Sequence, residues 1–258
     1  MTYEECYEQA ENHYIKRNYK EALRFFQEAL KLKESNDCLN YIGCCYLELN
    51  DFKAAGELFF KLSDDNPDWE RPAFNLGRVF LKSGYSEEAL TAFKEAESRN
   101  PNDEDVYYYL GVYYYETKDY MTAKAYYERS IGINDEQAET HLNLGRCYYH
   151  LGMNDKAIQE FNIAYKYDSN CLDAIYNKAM TLTSMSKYQE ALDNLLIVNN
   201  MKPNDVEVML DIAQVYYKTK DLETASVWVN KILAIEPQHD LGNKLLKRLI
   251  YLTNQTST

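Results

Sequence analysis

The amino-acid sequence predicts an all-α fold, an array of antiparallel helix pairs, and three observations carry that prediction. Gly43, Gly77, Gly111 and Gly145 stand 34 residues apart, and Ala179 and Ala213 extend the series. Ala55, Ala89, Ala123, Ala157, Ala191 and Ala225 keep the same interval of 34. Pro67, Pro101, Pro203 and Pro237 are separated by multiples of 34. A period of this length marks stacked supersecondary units, each unable to bury its apolar face alone.

Residues 104–137 supply the physical content of one unit. Tyr107, Leu110, Gly111 and Tyr114 recur at the spacing of one helical face. Lys118-Asp119 is a short polar turn, and a second helix follows with Ala123, Tyr127 and Ser130 on its inner side. So short a turn forces the helices antiparallel. The small Gly111 and Ala123 let the two axes approach closely. Proline near the end of a unit blocks continuation of the second helix. Asn and Asp in the joints, as in NPNDEDV, can cap the next one. Extending this register divides the chain into units 3–35, 36–69, 70–103, 104–137, 138–171, 172–205 and 206–239. The first is one residue short, with weak helix positions at Cys6 and Gln9, and the sixth places Lys178 where leucine is expected. Residues 240–252 form an amphipathic capping helix, with Leu241, Leu245, Leu249 and Leu252 as its covering stripe. Leu246 and Ile250 widen that stripe, and residues 253–258 read as a mobile polar tail.

Residues 70–103 carry Ala73, Leu76, Gly77, Phe80, Ala89, Phe93, Ala96 and Pro101. This pattern resembles the tetratricopeptide repeat, with only its first aromatic replaced. The resemblance spans nearly the whole chain and implies a right-handed α-solenoid whose first helices line a concave groove. It sorts the dense cluster YYYLGVYYYE at residues 107–116: Tyr107 and Tyr114 fall on the packing face, and Tyr113 packs between neighbouring helices. Tyr108, Tyr115 and, at the border, Tyr109 face the groove. Aromatic residues recur along that face at Tyr7, Tyr14, Phe74, Tyr108, Tyr115, Tyr149, Tyr176 and Tyr217. Such a lining suits protein recognition.

Asn75, Asn143 and Asn177 resemble a partial asparagine ladder, the device by which repeats of O-linked N-acetylglucosamine transferases hold a peptide backbone. Tyr41, Tyr109 and Asp211 interrupt it. Arg78 and Arg146, with Arg71 and Lys82, form a basic island in an acidic chain. These cations either meet acidic groups of a partner or pair with nearby Glu48, Glu116, Glu8 and Glu11. The carboxylate clamp of chaperone-binding relatives is not met, since Asn40 and Cys44 stand where Lys and Asn are wanted, and Arg71 and Asn75 where the final pair belongs.

Composition narrows the function. A net charge of −13 argues against nucleic-acid binding, which draws its affinity from phosphate neutralisation. No apolar run has membrane-span length, and the acidic N-terminus reads as neither signal nor transit peptide, which favours the cytoplasm. The six cysteines form neither CxxC nor zinc spacing, so buried, reduced thiols are expected. His141 falls at a packing position, and His150 has no relay partner at helical spacing. With no Gly-rich loop and no HExxH, neither catalysis, cofactor nor metal is expected. The expected function is a protein-interaction adaptor holding an extended or helical partner segment, which can carry acidic groups, in the groove. The alternative is a scaffold that self-associates as a homo-oligomer through Leu246 and Ile250.

Overall fold

The computed structural model describes residues 1–256, which hold fifteen α-helices and no strand. One helix pair fills each period. The first members are α1 (Tyr3–Ile15), α3 (Asn36–Glu48), α5 (Glu70–Lys82), α7 (Glu104–Glu116), α9 (Ala138–His150), α11 (Leu172–Ser184) and α13 (Val206–Lys218). Their partners are α2 (Tyr19–Leu32), α4 (Phe52–Asp65), α6 (Ser86–Arg99), α8 (Tyr120–Ile133), α10 (Asn154–Tyr167), α12 (Tyr188–Met201) and α14 (Leu222–Ile235). A last helix, α15 (Asp240–Thr256), follows α14. The helices group into two units, Met1–Asp135 with α1 to α8, and the portion from Glu136 with α9 to α15.

The hairpin turn repeats as regularly as the small residues. Arg17, Asn50, Gly84, Lys118, Gly152, Ser186 and Lys220 all take positive φ, between 58° and 82°. In one example Lys118 N donates to Tyr115 O at 3.0 Å and Asp119 N to Tyr114 O at 2.9 Å. That pair of bonds closes the helix end as a Schellman motif. Asp119 then accepts from Thr122 N at 3.1 Å and caps α8. Two adjacent residues therefore end one helix and begin the next, which is why the hairpin is tight. In the joint before α7, Asp103 caps as its position predicts, accepting from Asp105 N at 2.9 Å and Val106 N at 3.3 Å.

Within each hairpin the glycine meets a ring sixteen positions on. A Cβ at Gly43 would lie 2.6 Å from Phe59, at Gly111 2.5 Å from Tyr127, and at Gly145 2.6 Å from Phe161. Where alanine replaces glycine, the facing side chain is shorter: Ala179 shares its core with Leu195, and Ala213 with Val229. The first hairpin departs from this complementarity, with Ala10 and Phe26 both fully buried. Each enclosed ring or branched side chain contributes about 1.5–3 kcal/mol of burial.

The tyrosine cluster divides as its spacing implies. Tyr107 is 2% exposed; its hydroxyl donates to Pro101 O at 2.8 Å and accepts from Arg129 Nη2 at 2.7 Å. Tyr114 stacks on Tyr126 with centroids 5.4 Å apart. Tyr113 is buried against α6, its hydroxyl donating to Glu87 at 3.2 Å. Five of the six cysteines are buried and all six are free thiols. Burial pushes the Cys38 thiol up to about 11 and those of Cys45 and Cys147 up to about 12, so they stay protonated and unreactive.

The C-terminal segment differs from expectation. Helix α15 runs through Thr256 instead of ending at 252, and Thr253 Oγ1 donates back to Leu249 O at 2.9 Å. Residues 253–256 are thus helical, and the tail predicted at 257–258 lies outside the described residues. Leu245 and Leu249 are buried against α13 and α14, and Leu246 also packs partly on that core, not outward. Leu241 is 52% exposed, so it is not part of the covering stripe, whereas Ile250 is exposed as expected.

Candidate interaction surface

In the unit Met1–Asp135, α3 touches α5 and α5 touches α7, so the first helices share a face. Positions 30 to 35 residues apart meet there. Arg78 Nη2 lies 2.8 Å from Glu48 Oε1, and Lys82 Nζ 3.1 Å from Glu48 Oε2. Arg78 Nη1 donates to Asn75 Oδ1 at 3.1 Å, and Asn75 Nδ2 donates to Asn40 Oδ1 at 2.9 Å. Arg71 reaches Asp105 at 3.0 Å and Asp103 at 3.3 Å. All three cations of the expected island in this unit are therefore held by carboxylates of the chain itself. Pairing prevails because Glu48, Asp103 and Asp105 lie on or beside neighbouring first helices, within reach of a flexible side chain.

Burial strengthens these pairs. The Arg78 and Glu48 side chains are 16% and 20% exposed, so loss of either partner leaves a poorly solvated charge. The Asp103 side chain is 1% exposed. Burial pushes its carboxyl above the usual range despite the opposing Arg71 guanidinium. Asn75 is only 3% exposed, and both ends of its carboxamide bond to neighbours. It is a brace between helices, not an open rung offered to a peptide.

The aromatic residues are likewise more committed than their spacing suggests. Phe74 is 4% exposed and packs edge-on to Tyr109 at 5.3 Å, and Tyr109 also contacts Phe93 at 5.6 Å and Tyr108 at 5.2 Å. Arg78 lies 5.9 Å from the Phe74 ring centre and 5.7 Å from that of Tyr109, within cation–π range. Tyr115 packs on Tyr120 at 5.4 Å. Tyr7 and Tyr14 both contact Tyr41 on the next first helix, at 6.1 Å and 5.4 Å. Tyr7, Tyr14 and Phe74 thus fill the seam to the next repeat, which the single-helix periodicity does not reveal, whereas Tyr115 packs within its own hairpin.

In the unit from Glu136, α9 touches α11, and the pattern recurs in looser form. Arg146 Nη1 donates to Asn143 Oδ1 at 3.1 Å, and Arg146 Nη2 lies 3.5 Å from Asp173. Asn177 Nδ2 donates to Asp173 O at 2.7 Å, within its own helix. Tyr176 donates to Asp211 Oδ2 at 2.7 Å across one repeat. Burial pushes the Asp211 carboxyl up, and nearby Glu207 and Asp205 add to that against the Tyr176 bond. His141 is a core residue as expected, 5% exposed, with Nδ1 2.6 Å from Glu160. Among the eight aromatics expected on the groove face, Tyr149 is the most accessible, at 39%.

Within each unit the first-helix positions thus form a braced polar and aromatic face, accessible mainly at Arg71 and Lys82 in the first unit and at Arg146 and Tyr149 in the second. Sequence reasoning missed a second feature, an open cleft between α13 and α15 lined by Leu210, Tyr217, Lys218, Leu241 and Arg248. Its traces in the sequence are Tyr217 on the groove-facing stripe and Leu241 and Leu245 of the last helix.

Comparison with known proteins agrees with this architecture. Tetratricopeptide repeat family models match residues 74–137, 114–181 and 182–249. The BBSome complex member BBS4 of Bos taurus is 21% identical over 238 residues, which are 92% of this chain and 45% of that protein. The chain therefore spans less than half the length of that relative. Among solved structures, the APC/C hetero-tetramer Cut9-Hcn1 is similar at a TM-score of 0.70 and 22% identity, covering 88% of this chain and 45% of that one. YrrB, described as a TPR protein with an unusual peptide-binding site, gives 0.67 and 22%, covering 75% of this chain and all of that one. With the family models covering well over half of its residues and a helix pair in every period, the chain belongs to the tetratricopeptide repeat family, and its fold is an α-solenoid of antiparallel helix pairs.

Proposed function

We propose that this chain is a protein-interaction adaptor that holds an extended or helical segment of a partner along its first helices, with no chemistry of its own. One observation carries the reading. Side chains on this face bond to equivalent positions about one period away, as in Arg71 to Asp105, Asn75 to Asn40, Lys82 to Glu48 and Tyr176 to Asp211. A surface already ordered in this way loses little side-chain entropy when a partner docks. The peptide-binding site ascribed to YrrB is consistent with such use of the fold. No described helix is long and apolar enough to cross a membrane, and the buried thiols suit a reducing, cytoplasmic setting.

The test is photocrosslinking in native extract, with a photoreactive phenylalanine analogue replacing Tyr149 or Lys82 on first helices, or Phe60 on α4 as control. One partner segment joined through Tyr149 or Lys82 but not through Phe60 is the expected result. Crosslinks confined to Phe60 would defeat the assignment of the face. A second reading, a self-associating scaffold, draws on Ile250 and Tyr251, which are 53% and 63% exposed on α15. Crosslinks only to further copies of the chain, with mass rising with concentration, would favour it.

A further inference from the structure

The cleft between α13 and α15 lies on the first-helix face of the last repeat, where Leu210, Gln214 and Lys218 stand at the positions that Phe74, Arg78 and Lys82 hold four periods earlier. Leu210, Gln214, Tyr217 and Lys218 line it from α13, at the spacing of one helical stripe. Leu241, Lys244, Leu245 and Arg248 line it from α15 in the same way. Leu210 and Leu245 are buried and make an apolar floor, whereas Leu241 is half exposed at the mouth. The space measures about 340 Å³, at the lower end of ligand sites, so it fits a few side chains of a short segment.

The rim of this cleft is basic. The chain carries a net charge of −13, and its other arginines on the helices, Arg24, Arg71, Arg78, Arg99, Arg129 and Arg146, are all ion-paired. Lys244 is paired with Asp240 at 2.5 Å. Lys218 and Arg248 have no ion pair among the described residues and stand on opposite walls of the cleft. Two unpaired cations over an apolar floor select a ligand that is apolar at its centre and anionic at its flanks.

We propose that this cleft docks a short acidic segment of a partner protein, with an aliphatic side chain on the Leu210–Leu245 floor and carboxylates at Lys218 and Arg248. The proposal deepens the adaptor reading and rests on it, naming the class of segment held at the last of the first helices. In it, the acidic partner groups expected at Arg71, Arg78 and Lys82 belong instead at the C-terminal cleft, because those three cations are already neutralised.

Fluorescence anisotropy of the full chain tests it, with a labelled synthetic peptide holding a central leucine pair flanked by glutamates. Companion peptides replace the glutamates with lysine, or the leucines with serine. The expected result is saturable binding of the acidic leucine peptide that weakens about 10-fold or more in Lys218→Glu/Arg248→Glu and in Leu241→Asp. Both companion peptides should bind correspondingly worse. These positions are on the rim, and an unchanged helical spectrum and melting temperature confirm that the variants fold. Failure of the acidic leucine peptide to bind would overturn the proposal, as would equal affinity for the charge-reversed variant. Equal affinity for the serine peptide would also overturn it, because charge alone would then suffice. Persistence of crosslinking at Tyr149 when the peptide fails would leave the adaptor reading intact, whereas loss of crosslinking with peptide binding retained would spare the cleft alone.

Discussion

Gly145 and Phe161 allow the packing logic of the repeat to be tested within one hairpin. A methyl group on Gly145 would sit 2.6 Å from Phe161 Cε1, about 1 Å inside the optimum carbon–carbon separation. Overpacking of this kind costs about 1–3 kcal/mol. Replacing a mid-helix glycine with alanine returns about 1 kcal/mol of helix propensity. Gly145→Ala should therefore destabilise by up to about 2 kcal/mol in place of the stabilisation that propensity alone predicts. The hairpin of α11 and α12 supplies the compensating change, since Ala179 there shares its core with Leu195. Phe161→Leu alone should cost about 1–2 kcal/mol through lost burial, and combined with Gly145→Ala it should recover at least about 1 kcal/mol relative to additivity. Urea unfolding of the wild type, both single variants and the double variant measures this, provided the denaturant slope stays constant across the set. The buried Ala10–Phe26 pair shows that such a hairpin can accommodate the methyl when the whole chain is built around it, so the cost at Gly145 belongs near the lower end of the range. Stabilisation by Gly145→Ala, or strict additivity of the two changes, would refute the reasoning.

Three further outcomes follow from the same contacts. Glu48→Ala strands the poorly solvated Arg78 and should lower stability by about 2–3 kcal/mol, whereas Glu48→Leu/Arg78→Leu should recover most of that loss in chemical denaturation. Ser186 holds φ 60°, so Ser186→Gly should raise stability by about 1 kcal/mol and Gly152→Ala, at φ 75°, should lower it by about as much, both read from thermal melts. The Asp211 carboxyl is raised on folding, chiefly by burial, so the folded chain holds its proton more tightly than the unfolded chain does. Its contribution to stability is then full below the unfolded value of about 3.9 and is lost as pH rises through the folded value. Asp211→Asn, which still accepts from Tyr176, should therefore be more stable than wild type at neutral pH, with the difference shrinking on acidification; a difference independent of pH would contradict the assignment.

Much of the architecture was legible in the residues because helical packing is local and periodic. The interval of 34 located every helix pair, since a glycine or alanine and its facing side chain lie in one hairpin, sixteen positions apart. The same holds for the helix caps, where Asp103 and Asp119 act on backbone groups two or three residues away. The packing tyrosines and His141 were likewise placed by face alone.

What tertiary structure decided was the fate of groups that reach between repeats. Arg78 and Glu48 are 30 positions apart, and Arg71 and Asp105 34 apart, so their pairing depends on the stacking of neighbouring helices and not on the pattern of any one of them. The same stacking buried Phe74 and closed both ends of the Asn75 carboxamide, turning expected contact residues into braces. It also folded Leu246 inward and left Leu241 at the mouth of a cleft, because the covering face of α15 is fixed by its docking angle on α13 and α14. A helix's own sequence carries its amphipathic stripe; which part of that stripe remains open to a partner is set by the neighbour that covers the rest.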